Sequence, residues 1–138
     1  MNLSTRRLSQ AELNNWAKMG KNEVWTFRVS DRFGDYGLTA MVSLSFGGRE
    51  TVLEDFILSC RVMGRKVEEA LLHFAVARAA EAGSKRLVFW FRQTERNTPI
   101  LEFFSQSILE RTGDEFSWSS SSVFPLPHFI TLINDEDV

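Results

Sequence analysis

The chain has one cysteine, Cys60, and one tyrosine, Tyr36, among its 138 residues. A lone cysteine closes no internal disulfide and supplies no cysteine-rich metal framework. The two histidines, His73 and His128, have no second ligand at helical spacing, so no metal site is expected. No run approaches the ~18 consecutive apolar residues that a membrane span needs. The basic start, Met1 to Arg7, leads into no apolar stretch of the signal-peptide kind. A reducing, cytoplasmic location is the expectation. A surplus of one charge sign is missing too: 16 Lys and Arg stand against 18 Asp and Glu, a net charge of −2. That balance argues against a surface built for nucleic acid or for acidic membranes. Linkers and internal repeats are absent, so residues 1–138 read as a single domain.

What is abundant is apolar bulk. Hydrophobic residues make up 43% of the chain, with twelve Phe and four Trp, enough for a core without staples. Asn2 to Arg6 reads as a short strand. Ser9 with Glu12 three residues on is a capping box, and it predicts a helix with Leu13, Trp16 and Ala17 on its apolar side, stopped by Gly20. Glu23 to Ser30 alternates, with Trp25, Phe27 and Val29 on one face. A turn is expected over Asp31 to Gly37, then a second strand with Leu38, Ala40, Val42, Leu44 and Phe46 facing one way. Gly47-Gly48 marks a hairpin into a third strand, Thr51 to Leu58.

A helix follows from about Val67 to Ala82, with Gly83 as its stop. Arg86 to Phe91 is a continuous apolar run, as a buried central strand would be. Thr98 caps a helix with Pro99 at its first position and a buried stripe of Ile100, Leu101, Phe104 and Ile108. Strands are expected at Glu115 to Trp118 and Phe129 to Ile133, and the Asp135-Glu136-Asp137 tail is expected to fray. The fold class predicted is α/β: a mixed, mostly antiparallel sheet flanked by helices.

The stretch with a chemical preference lies between the third strand and its helix: Ser59-Cys60-Arg61-Val62-Met63-Gly64-Arg65-Lys66. A loop that opens a helix presents backbone N–H groups with no partner inside the helix, at the positive end of the dipole. Both features favour an anion, phosphate above all. Arg61, Arg65 and Lys66 place three cations where the dipole disfavours them. A bland reading takes this as an ordinary basic helix start.

This order, with Asp31-Arg32-Phe33-Gly34-Asp35-Tyr36-Gly37-Leu38, then Ser59 to Arg65, then Val67-Glu68-x-Ala70-Leu71-Leu72 and Thr94-x-x-Asn97, resembles the GNAT acyltransferase fold. It is similar in particular to the C-terminal GNAT-like domain of FkbH-like proteins. In those proteins the domain follows a haloacid-dehalogenase-type domain and serves methoxymalonyl-type extender-unit synthesis for polyketides on an acyl carrier protein. The resemblance implies an acyltransferase-type domain. It would bind acetyl-CoA, another acyl-CoA or a phosphopantetheine thioester, with an acyl carrier protein as partner. A non-catalytic carrier-docking module beside a haloacid-dehalogenase-type partner is the alternative. No metal is implied.

Carried over residue by residue, the resemblance places the pyrophosphate on the amides of Cys60, Arg61, Val62, Met63, Gly64, Arg65 and Lys66. Arg61 and Gly64 match the family's loop pattern, whereas Lys66 stands where a small residue is usual. Asn97 would anchor the pantetheine arm or brace its own loop. Glu54 or Asp55 would be the catalytic base. Simple alternation groups Glu54 with Val52 and Phe56, and Asp55 with Leu53 and Ile57. A nucleophilic role for Cys60 lacks a partner base at a recognisable spacing. The helix after the Arg86–Phe91 strand, where the family often carries an acidic tyrosine, offers Phe103 and Phe104.

Overall fold

The structure is a computed structural model that describes residues 8–134. The elements run α1 (Gln10–Lys18), β1 (Asn22–Asp31), β2 (Gly34–Phe46), β3 (Glu50–Leu58), α2 (Val67–Glu81), β4 (Arg86–Trp90), α3 (Thr98–Gln106), β5 (Glu110–Thr112) and β6 (Glu115–Ser119). The expected strand at Asn2 to Arg6 and the acidic tail lie outside the described residues. The strands form one sheet in the order β1-β2-β3-β4-β6-β5, antiparallel except where β3 meets β4. This is the mixed, mostly antiparallel α/β architecture that the patterning predicts.

Residues opposite each other across an antiparallel pair share a face. Ala40 faces Leu58, Val42 faces Phe56 and Leu44 faces Leu53, and all six are buried. On that face α2 and α3 pack. Phe74 of α2 meets Trp25 and Phe27 edge-on at 4.9 and 5.0 Å. Phe104 of α3 sits among Phe56, Phe89 and Phe116, with centroids 5.4, 4.8 and 5.6 Å away. Aromatic pairs in such tilted and edge-on arrangements add attraction beyond their buried area. The short helix α1 lies over the other face.

Local signals set the helix ends. Ser9 and Glu12 form both bonds of the capping box. Gly83, at φ 85°, ends α2 in a Schellman motif, with Gly83 N–H on the Ala80 carbonyl and Ser84 N–H on that of Ala79. Arg78 grips both Glu23 carboxylate oxygens at 2.6 Å, pinning α2 to β1. Those carboxylate bonds, with Glu81, hold its guanidinium pKa above the ordinary arginine value against the cost of burial. Arg86 bonds Glu50 and Glu115, each at 2.8 Å, and so ties β3, β4 and β6 together.

Five expectations need correction. The turn at Asp31–Gly37 shrinks to Arg32-Phe33, and β2 begins at Gly34. Leu38 does not join the inner face and is 59% exposed, because Thr39 is an extra residue in β2 and reverses the alternation there. Asn97 takes the N-cap position of α3, so Thr98 lies inside the helix. That helix stops at Gln106, where Ser107 turns extended at ψ 173°, leaving Ile108 59% exposed. Phe129 to Ile133 is not a strand. Both flanks of β6 are already taken by β4 and β5. The C-terminal segment is held instead through Phe124, which packs on Trp118 at 5.3 Å and accepts a 2.7 Å bond from His73 Nδ1.

Candidate functional site

The parallel ladder between β3 and β4 is short. It joins Glu50 to Arg86, Thr51 to Leu87 and Val52 to Val88, and then stops. Strand β3 runs on to Leu58 with no further register partner on β4, which stays paired with β6 on its other side. The sheet is therefore open between these two strands, and the opening leads to the basic loop.

A bulge marks the start of the opening. Ser43 pairs with Asp55 and Leu44 with Leu53, so Glu54 is the extra residue. A bulge of this kind re-aims the side chains after it. Leu53, Phe56 and Leu58 thereby share the inner face, while Asp55 joins Ile57 on the other. The grouping from simple alternation is corrected on this point. Asp55 is buried, and its Oδ2 accepts a 2.6 Å bond from Ser43 Oγ. Glu54 is half-buried at the bulge.

The loop is a series of turns from Cys60 to Lys66. Val62 is fully buried and anchors the loop in the core, with Met63 packed against it. Ser59 organises the turn: its carbonyl accepts from Val62 N–H at 3.2 Å and its Oγ from Arg61 N–H at 3.3 Å. Gly64 has φ 80° and Lys66 φ 70°. Lys66 is the only non-glycine at positive φ among the described residues. Left-handed backbone costs a side-chain-bearing residue about 1–2 kcal/mol. The lysine thus adopts the backbone that a glycine would take freely at the position where the family pattern has a small residue. The first intrahelical bond of α2 runs from Ala70 N–H to the Lys66 carbonyl at 3.3 Å, so the amides before it have no partner within the helix.

Two contacts of the loop add to the sequence expectations. Glu68, in the first turn of α2, folds back so that its Oε1 accepts from Gly64 N–H at 2.9 Å. Its pKa is raised, chiefly by burial, with Glu69 adding repulsion and the Gly64 bond opposing both. One amide expected to meet an anion therefore already holds a carboxylate. The second feature is the β1–β2 hairpin end, which reaches the loop. Arg65 lies 3.5 Å from Asp31 Oδ2 and donates to the Tyr36 hydroxyl at 2.6 Å. Tyr36 in turn donates to Asp31 Oδ2 at 3.2 Å. The lone tyrosine is remote in sequence but next to the loop in space.

Lys66 pairs with Glu69 at 3.3 Å. Arg61 has no carboxylate partner among the described residues and leans only on Ser59 Oγ, at 3.4 Å from its Nε. Of the three loop cations it is the one available to an anion. Cys60 is exposed. Asn97 is buried and braces its own loop, with Oδ1 accepting from Thr94 N–H at 2.6 Å and Nδ2 donating to the Arg92 carbonyl at 2.8 Å. Phe104, on the helix where an acidic tyrosine is usual, belongs to the core. No group of three or more His, Cys, Asp and Glu that could hold a metal occurs among the described residues. No helix among them is long and apolar enough to cross a membrane.

The mixed, mostly antiparallel sheet flanked by helices is the fold of the GNAT acetyltransferases. Solved structures agree. A domain from Methanocaldococcus jannaschii superposes with a TM-score of 0.61 at 11% identity, over 85% of this chain and 79% of that one. A Desulfovibrio desulfuricans protein assigned to the GNAT family of acetyltransferases gives 0.58 at 12% identity, over 79% and 77%. A point variant of the spermidine N-acetyltransferase SpeG from Vibrio cholerae gives 0.56 at 13% identity, over 80% and 73%. At such identities the likeness concerns the fold. No protein-family model and no curated protein sequence matches the chain.

Proposed function

We propose that this chain is an acyltransferase-type domain that takes an acyl-CoA, or the phosphopantetheine thioester of a carrier protein, into the opening between β3 and β4. The observation that carries the reading is the end of the β3–β4 ladder at Val52 and Val88, continued into a loop whose Arg61 has no acid partner among the described residues. The donor set fits a diphosphate: one available guanidinium and the first amides of α2. The Gly64 and Glu68 N–H groups, both held by the Glu68 carboxylate, would join only if it gave them up. The thioester would supply an activated acyl group. Glu54, at the bulge, or Asp55, one residue on, would take the proton from the acceptor nucleophile. Glu54 is half-buried at the bulge, and Asp55 is buried with its carboxylate on Ser43 Oγ.

The finer reading follows the FkbH-like resemblance: the thioester is carried by an acyl carrier protein, in extender-unit synthesis beside a haloacid-dehalogenase-type partner. Two observations favour a docking module within it. Arg92 and Arg96 are exposed on the loop after β4, which leaves the parallel pair at the same end as the basic loop after β3 and would add positive charge toward an acidic carrier. The α3 position of the usual acid is filled by core phenylalanines.

Turnover and binding separate the two readings. For an enzyme, Glu54→Gln or Asp55→Asn lowers acyl transfer at least tenfold with acyl-CoA affinity unchanged. For a docking module, the chain shows no transfer to any amine or alcohol, and binds phosphopantetheinylated carrier more tightly than free acetyl-CoA.

A further inference from the structure

A second concavity lies on the other face of the sheet, under α1. It is an open groove of about 660 Å³ bounded by α1 and by β1, β2 and the end of β3. Its middle is apolar, with Leu13 on α1 above Val24, Met41 and Ile57 on three successive strands. One end is polar and is built by contacts in series. Ser59 N–H donates to the Thr39 carbonyl at 2.8 Å, and Arg61 leans on Ser59 Oγ. Among the described residues, Arg61 is the only charged one that lines the groove. Thr39, at the β2 bulge, is 5% exposed, and its hydroxyl has no hydrogen-bond partner among the described residues.

We infer that this groove binds an amphiphilic organic acid, its carboxylate on Arg61 and the Thr39 hydroxyl and its apolar body along Leu13, Val24, Met41 and Ile57. Three properties select that chemistry. The single cation with no acid among the groove residues favours an anionic head over a cationic or neutral one. The orphaned Thr39 hydroxyl can donate to a carboxylate, which removes the cost of a buried group left unsatisfied. The apolar stretch of Leu13, Val24, Met41 and Ile57 adjoins the polar end, so a ligand with charge at one end and hydrocarbon at the other matches the two together. The inference does not depend on acyl-CoA binding, although Arg61 is shared by the groove and the loop.

The test is a titration of the full chain with sodium octanoate, octylamine and octanamide, followed by amide NMR shifts at neutral pH. Octanoate is expected to shift Thr39, Met41, Ile57 and Ser59 saturably, with octylamine at least tenfold weaker and octanamide between them. Arg61→Gln, at an exposed side chain, is expected to weaken octanoate about tenfold, the loss of one charge-assisted hydrogen bond. Thr39→Val keeps the β-branched shape and is expected to weaken octanoate several-fold while acetyl-CoA affinity stays the same, which separates groove from loop. Equal binding of octanoate and octylamine would overturn the inference. So would shifts confined to residues outside the groove, no saturable shift at all, or a Thr39→Val chain that binds octanoate as the parent does.

Discussion

Arg65 and Tyr36 are 29 residues apart in sequence, yet the Arg65 guanidinium donates to the Tyr36 hydroxyl at 2.6 Å and lies 4.8 Å from the centre of its ring. The contact joins the β1–β2 hairpin to the loop before α2, and with Asp31 it engages one of the three loop cations. Tyr36→Phe should remove the hydrogen bond and leave the ring under the guanidinium. The expected loss is under about 1 kcal/mol, since the groups are exposed and the pair is screened. Urea unfolding would measure it. Acetyl-CoA affinity should rise or stay level, because Arg65 is then less firmly held on the hairpin.

The aromatic cluster around Phe104 carries the inner face. Phe104→Ala should cost about 3–5 kcal/mol, as large-to-small changes at buried aromatic sites do. The readout is the denaturation midpoint at unchanged slope.

Backbone handedness in the loop gives a pair of opposite predictions. An added Cβ at Gly64 would meet nothing within 4 Å, but φ is 80°, so Gly64→Ala should cost about 1–2 kcal/mol through conformation alone. Lys66→Gly should gain up to about 1 kcal/mol, as relief of left-handed strain outweighs the greater chain entropy of glycine. Paired urea titrations would show the opposite signs.

Glu68 sets a pH dependence. Its folded pKa is raised above the ordinary 4.5 by burial. Between the unfolded and folded values the native state therefore holds more protons than the unfolded state. Stability should accordingly fall as pH rises through that window, and the penalty persists at neutral pH. Glu68→Gln keeps an oxygen for Gly64 N–H and removes the charge. The variant should be more stable than the parent at pH 7 and no more stable below pH 4.5, as seen in urea unfolding at both pH values.

How much of this was legible in the chain depends on the range of the interaction. The capping box at Ser9 and Glu12, the Gly83 stop and the apolar run of β4 are local, and each appears where the sequence puts it. The basic loop is also where the sequence puts it, although the structure divides its cations by partner. The failures come from register and tertiary competition. The bulges at Thr39 and Glu54 arise from pairing with a neighbouring strand, so alternation within one strand put Leu38 on the inner face and grouped Leu53 with Asp55 rather than with Phe56. Phe129 to Ile133 has strand composition, but both sides of β6 are occupied. The short edge strand β5 follows a helix that ended earlier than its apolar period suggested. The Gly64–Glu68 bond lies within reach of spacing rules, since a carboxylate in the first helical turn favours amides there; the Arg65–Tyr36 bond does not.

The loop at the end of the β3–β4 opening is proposed to hold the diphosphate of coenzyme A or the phosphate of a carrier's phosphopantetheine. Isothermal titration with acetyl-CoA tests it most directly, comparing the parent chain with Arg61→Ala. Saturable binding by the parent is expected, of order micromolar and so about −8 kcal/mol, with a loss of tenfold or more in the variant. Equal affinities for parent and variant, or no heat from acetyl-CoA and from a phosphopantetheinylated carrier alike, would contradict it.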